Sequence, residues 1–221
     1  MIRPRLAQAL KGHVLYLLII VVALNISYPI TLTNTLGAEL YVYAYCLLLG
    51  LGAFVASVSH HRFLLSAGGA LITLFLVLGA SSQPENDALG VIAFLALVIF
   101  QAILIFALME FIFTTRSVTL DVLYAAITVY LLLGNTFAAL YGAMERIQPG
   151  SFIVSKAPEA VVSWAQFMYF SFATLTTLGF GDIVPLTPWS ESLVVFEAVV
   201  GVLYLTVMMS RLVGLYANDA D

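Results

Sequence analysis

The chain has 221 residues, of which 62% are hydrophobic and 9% charged, with a net charge of −4 and a mean hydropathy of +1.07. A soluble globule carries about 25% charged residues, so the composition excludes one and indicates a membrane protein. The acidic balance and the lack of a basic patch exclude nucleic acid as a partner, and the lone cysteine, Cys46, excludes an intrachain disulfide.

A membrane-spanning helix needs about 20 apolar residues. Six stretches qualify in chain order: Val14 to Leu32, Leu36 to Val58, Phe63 to Ala80, Ala88 to Phe113, Val118 to Ala143 and Ser190 to Tyr216. They predict an all-α membrane protein with six transmembrane helices. The opening MIRPRLAQALKGH is similar to the start of a signal peptide, but no small-residue cleavage site closes a short apolar core, so it leads into the first span. Arg3, Arg5 and Lys11 precede that span, Arg62 lies between the second and third, Arg116 between the fourth and fifth, and Arg211 near the end of the sixth. Basic residues mark the cytoplasmic side. Both termini are therefore expected in the cytoplasm of a multi-pass protein of the cell (plasma or inner) membrane, with Arg146, Lys156 and the acidic turn SSQPENDA outside. The chain ends a few residues after the sixth span, which predicts no cytoplasmic regulatory module.

Within the first four spans, Cys46 reads as a small apolar filler, and Tyr41, Tyr43 and Tyr45 as packing aromatics. His60 and His61, beside Arg62, are either a solvated pair or a sensor of cytoplasmic pH. Glu110 and Asp121 flank Arg116 as interfacial ion pairs, with Asp121 also in reach of Arg211.

Between the fifth and sixth spans the segment RIQPGSFIVSKAPEA is too polar and turn-rich to span, and forms an outer turret. Ser163 and Gln166 then make a capping box, which predicts a helix from Trp164 to near Leu175. At about 12 residues it is about 18 Å long, enough to enter the membrane but not to cross it. Its C-terminal end carries about half a negative charge and favours a cation nearby.

The next run, TLTTLGFGDIVP from Thr174 to Pro185, needs backbone of alternating hand if successive carbonyls are to point one way, and L-residues resist this. Gly179 and Gly181 are the permissive positions. With Thr176, Thr177, Leu178 and Phe180 they form a ladder of oxygens able to replace a cation's water shell, whose uncompensated loss costs about 20 kcal/mol by a Born estimate. One chain offers one oxygen per level. Identical copies around a shared axis are therefore expected, with C4 the natural closed ring, and lipid covers their outer faces. No H-E-x-x-H, G-x-S-x-G or G-x-x-x-x-G-K motif points to an enzyme.

The segment FMYFSFATLTTLGFGDIVPLTPWSESLVVFEAVVG resembles the pore of potassium channels, specifically the prokaryotic family with a helix, a pore loop and a helix in each subunit. The resemblance runs over roughly residues 119 to 216. It aligns TTLGFGD with TTVGYGD, Tyr169 and Phe170 with an aromatic pair supporting the filter, and Gly201 with an inner-helix hinge; Pro185 and Trp189 also match. It implies a homotetramer and K+ as the permeant ion, held by the backbone carbonyls of Thr177, Leu178, Gly179 and Phe180, with no cofactor. It also implies that Tyr169 donates to Asp182, and that Val202, Leu205, Met209 and Val213 line the inner pore. Three positions depart from the family pattern: Phe180 replaces a tyrosine, Leu178 a valine, and Ala173 a glutamate found behind the filter in some members.

Two positions stay open. Gly201 is either a hinge or a site of close helix packing. Glu197, two turns into the last span, would cost at least about 2.5–3.5 kcal/mol if it faced lipid. It is either a group behind the filter, bonded to Ser171 or Thr174, or one member of a structural network.

The chain thus divides into residues 1–117, a four-helix membrane domain, and 118–221, a pore domain with a re-entrant helix and filter between its two spans. A voltage sensor needs about 3–4 gating charges per subunit, and the fourth span has no Arg or Lys. The expected function is passive K+ conduction without steep voltage dependence. A weakly selective cation channel and a non-conducting subunit that binds lipid or a partner protein are the alternatives.

Overall fold

The computed structural model describes residues 14–27, 45, 48, 50, 60–83, 85–155 and 161–219. In chain order these form α1 (Val14–Ser27), α2 (His60–Ser82), α3 (Asp87–Thr114), α4 (Leu120–Ile147), β1 (Phe152–Val154), α5 (Trp164–Leu175), β2 (Ile183–Pro185) and α6 (Pro188–Asp219). Tyr45, Leu48 and Gly50 are helical. The rest of the second predicted span, with Tyr41, Tyr43 and Cys46, lies outside the described residues, as do Arg3, Arg5, Lys11 and the side chains of His60, His61 and Arg62.

Local chemistry sets the ends of α3. The Asn86 side chain accepts the Leu89 N–H at 3.1 Å, Asp87 in the first turn complements the helix dipole, and extended Thr115 stops the helix. Ala93, Leu97, Phe100, Leu104, Leu108 and Phe111 recur every three or four residues and are buried. Ile92, Leu95, Ile99, Ile103 and Phe106 cover the opposite face and are exposed. A helix apolar all round belongs in a protein core or in lipid.

At the centre of the fold is α4, which contacts α1, α3, α5 and α6. Its small residues make this possible. A Cβ on Gly134 would come within 2.7 Å of the Phe172 ring, and one on Gly142 within 2.7 Å of the Phe94 ring. One apolar core joins α1, α3 and α4 to Tyr204 and Met208 of α6. A second gathers Phe137, Tyr141, Phe152, Phe167, Met168 and Phe170 behind α5.

Among the described residues, three helices are long and apolar enough to cross a membrane: Asp87–Thr114, Leu120–Ile147 and Pro188–Ala217. They lie on the fourth, fifth and sixth predicted spans. Val14–Ser27 and Ala67–Ala80, on the first and third, are apolar but shorter.

Among the described residues the fold is helical apart from one ladder absent from the all-α expectation. β1 pairs antiparallel with β2, with Phe152 opposite Pro185, Ile153 opposite Val184 and Val154 opposite Ile183. Runs of three residues are too short for a period-2 pattern to register. The turret is thereby tied to the strand that leaves the Gly179–Gly181 loop.

Candidate functional site

The short helix α5 runs from Trp164 to Leu175, and its capping box is complete. Ser163 Oγ accepts the Gln166 N–H at 3.4 Å, and Gln166 Oε1 accepts the Ser163 N–H at 2.8 Å. Beyond Leu175 the chain turns back on the helix end. Thr177 N–H donates to the Thr174 carbonyl at 2.9 Å, Leu178 N–H to Ala173 at 2.8 Å, and Gly179 N–H to Ala173 at 3.1 Å. These bonds occupy carbonyls that a helix C-terminus otherwise leaves without partners.

Direction follows from peptide geometry. No described peptide bond is cis, and in a trans peptide the C=O points opposite to the N–H. The three amides of Thr177, Leu178 and Gly179 point into α5, so the carbonyls of Thr176, Thr177 and Leu178 project together away from it.

The backbone alternates in hand as the ladder requires. Thr177, Gly179 and Gly181 have φ of 60°, 55° and 73°. The two glycines adopt this region without strain. Thr177 was not expected there: a β-branched residue at positive φ is an outlier costing of order 1–3 kcal/mol, a feature that clusters at ligand sites. Around Gly179 and Gly181 a Cβ would meet nothing within 4 Å, so conformation rather than crowding favours glycine within one protomer.

Two aromatic contacts brace the loop. Tyr169 Oη donates to Asp182 Oδ2 at 2.8 Å, and the Tyr169 and Phe180 rings stack at 6.2 Å with planes 6° apart. The ring of Phe180 thus supports the loop without a hydroxyl. Phe170 faces the other way, buried against Tyr141 at 5.2 Å and Phe152 at 5.8 Å between centroids. Its ring contacts are with α4 and β1 rather than with the loop.

The end of the loop next to β2 is clamped by a residue that carried no signal in the sequence. Ser155, just after β1, donates its N–H to the Asp182 carbonyl at 2.8 Å and its hydroxyl to the Gly181 carbonyl at 3.0 Å. A serine in a polar turret is not distinguishable from any other until the β1–β2 ladder brings it here.

The last helix carries the remaining candidates. Glu197 is 0% exposed; it accepts from Tyr141 Oη and from Ser171 Oγ, whereas the Thr174 carbonyl accepts from the loop. Gly201 is buried, and a Cβ there would lie 2.4 Å from the Leu175 carbonyl oxygen. The same oxygen accepts from Tyr130 Oη at 3.3 Å. Val202, Leu205, Met209 and Val213 lie on the uncovered face of α6, opposite buried Tyr204, Met208 and Leu215. Arg211 donates to the Phe113 carbonyl at 3.0 Å and to the Thr115 carbonyl at 2.8 Å, where the end of α3 is partially negative.

Leu178, Phe180 and the outward-turned carbonyls are exposed in one protomer. Non-helical backbone at membrane depth is tolerated only inside protein or along a water-filled cavity.

Residues 119–218 match the model of a family described as an ion channel. Two pore potassium channel c of Oryza sativa subsp. japonica is 34% identical over 84 residues, which are 38% of this chain and 16% of that protein. The chain therefore spans only a small part of that relative. No solved structure matches. With three helices long enough to span, the chain is a membrane protein whose second half is similar to ion channels.

Proposed function

We propose that the chain is the subunit of a potassium-selective channel in which four copies surround one axis and K+ passes between the backbone oxygens of Thr177, Leu178, Gly179 and Phe180. One observation carries this: three consecutive peptides, with their N–H groups on α5, turn the carbonyls of Thr176, Thr177 and Leu178 to the side opposite the helix. Among the described residues no hydrogen bond to these oxygens is seen, and their arrangement matches the need of a dehydrated cation. The similarity to a protein named as a potassium channel supports K+ as that cation.

In this assembly Tyr169, Phe170 and Asp182 brace the filter. Val202, Leu205, Met209 and Val213 face the inner cavity, both termini are cytoplasmic, and lipid covers the exposed apolar face of α3. Residues 1–117 form a peripheral domain around the pore domain 118–221, and conduction needs no arginine sensor.

Bi-ionic recording from purified protein in planar bilayers tests the proposal. With K+ on one side and Na+ on the other, the reversal potential is expected to follow the K+ gradient. A reversal near zero would instead indicate a weakly selective cation pore, and absence of current a non-conducting subunit.

A second expectation concerns Tyr169→Phe, which keeps the stack on Phe180 but removes the bond to Asp182. The net value of such a bond is about 1 kcal/mol. Current lost on lowering external K+ is expected to decline about fivefold faster than in the wild type. An unchanged decline would remove Asp182 from the support of the filter.

A further inference from the structure

Glu197 lies in the middle of the molecule with no water-exposed surface, joined to two other helices. One carboxyl oxygen takes the hydroxyl of Tyr141 on α4, and the other meets the hydroxyl of Ser171 on α5. Ser171 Oγ also lies 2.7 Å from the Gly134 carbonyl of α4. One turn along α6, Gly201 abuts the Leu175 carbonyl with no room for a Cβ, and Tyr130 of α4 donates to that carbonyl. Positions 197 and 201 of α6 thus meet positions 171 and 175 of α5, each pair one helical turn apart. The helices are seated along a single seam. Leu175 is the last residue of α5 and leads directly into Thr176.

We propose that Glu197 is a positioning residue for the filter: by pinning α5 to both α4 and α6, it sets where the chain enters the oxygen ladder and thereby the discrimination of K+ from Na+. This rests on the channel reading above. An aliphatic residue at 197 would take the acceptor from the buried Tyr141 hydroxyl, leave Ser171 only the Gly134 carbonyl, and leave α6 free to slide against α5 above the Gly201 contact. An amide would preserve the set. Ser171 has one hydroxyl proton and faces two oxygens, so Gln at 197 can donate to Ser171 Oγ, which donates to Gly134, while its own carbonyl accepts from Tyr141.

The test is bi-ionic K+/Na+ recording on the full chain with E197Q, E197A, Y141F and S171A. E197Q is expected to keep the wild-type permeability ratio, and E197A to raise relative Na+ permeability about tenfold. Y141F and S171A should each raise it by less. Combining either with E197A should add nothing further, because the partners act as one unit. If E197A fails to assemble, Y141F and S171A still carry the test, since both retain the carboxyl.

A wild-type ratio in conducting E197A, or in both Y141F and S171A, overturns the proposal. So does E197Q behaving like E197A, or simple additivity in the double variants. If wild-type protein passes neither ion, the channel reading fails; if it is K+-selective and these variants are too, only the role of Glu197 fails.

Discussion

Gly179→Ala is expected to abolish K+ flux from purified protein in liposomes. Gly179 has a φ of 55°, and an L-residue held there costs about 1–2 kcal/mol. In a ring of four copies the loop would carry about 4–8 kcal/mol of strain, comparable with the whole stability of a typical domain. Relief requires the peptide to rotate. Rotation takes the Gly179 N–H off the Ala173 carbonyl, at 3.1 Å in the native loop, and swings the Leu178 carbonyl out of line with that of Thr177. One missing level leaves a cation partly without its oxygen shell, and the stripping penalty returns. Potassium-dependent fluorescence quenching in liposomes gives the measurement. Flux at the wild-type rate from an assembled Gly179→Ala protein would remove the oxygen ladder as the conduction path.

Gly201→Ala carries the second large effect, and it separates the two roles left open by sequence. A hinge glycine stiffened by alanine would alter opening and leave the filter intact. In the structure the added Cβ would lie 2.4 Å from the Leu175 carbonyl oxygen and 3.0 Å from Leu175 Cδ1. The obstacle is backbone, so α6 or the end of α5 must move. Overpacking of this kind typically costs about 1–3 kcal/mol. We therefore expect Gly201→Ala to lower the midpoint of thermal dissociation of the assembly and also to raise relative Na+ permeability, because the displaced carbonyl belongs to the residue before Thr176. A variant with wild-type dissociation and selectivity but altered open probability would favour the hinge instead. Gly201 lies inside an unbroken helix from Pro188 to Asp219, consistent with a packing site.

The Thr176–Gly181 loop and α5 were readable in the sequence because their determinants are local. The capping pair Ser163 and Gln166 are three residues apart and fix the start of α5 at Trp164. The left-handed positions at Gly179 and Gly181 follow from the absent Cβ. Thr177 at φ 60° was not readable, because threonine has no preference for that region and is held there by the bonds on either side of it. The Tyr169 contact with Asp182 was reached through family resemblance, across 13 positions of chain.

The meeting of Glu197 with Ser171 was one of two readings open from the sequence, but other contacts across large separations announced nothing beforehand. Tyr141 and Glu197 are 56 positions apart, Tyr130 and Leu175 are 45 apart, and Gln101 links Tyr45 to Thr136 by hydrogen bonds of 2.7 Å at each end. Each is a single polar group in an apolar run, and such a run has no periodicity that says which neighbour a side chain will face. Hydropathy marked the three helices long enough to span and the turn chemistry marked the loop, since both depend on residues within one or two turns of each other. Which helices share a face, and therefore where Glu197, Gly201 and Ser155 come to rest, depended on small residues along α4 allowing close approach and on β1 pairing with β2. Those are properties of packed surfaces, and they exist only once the helices have met.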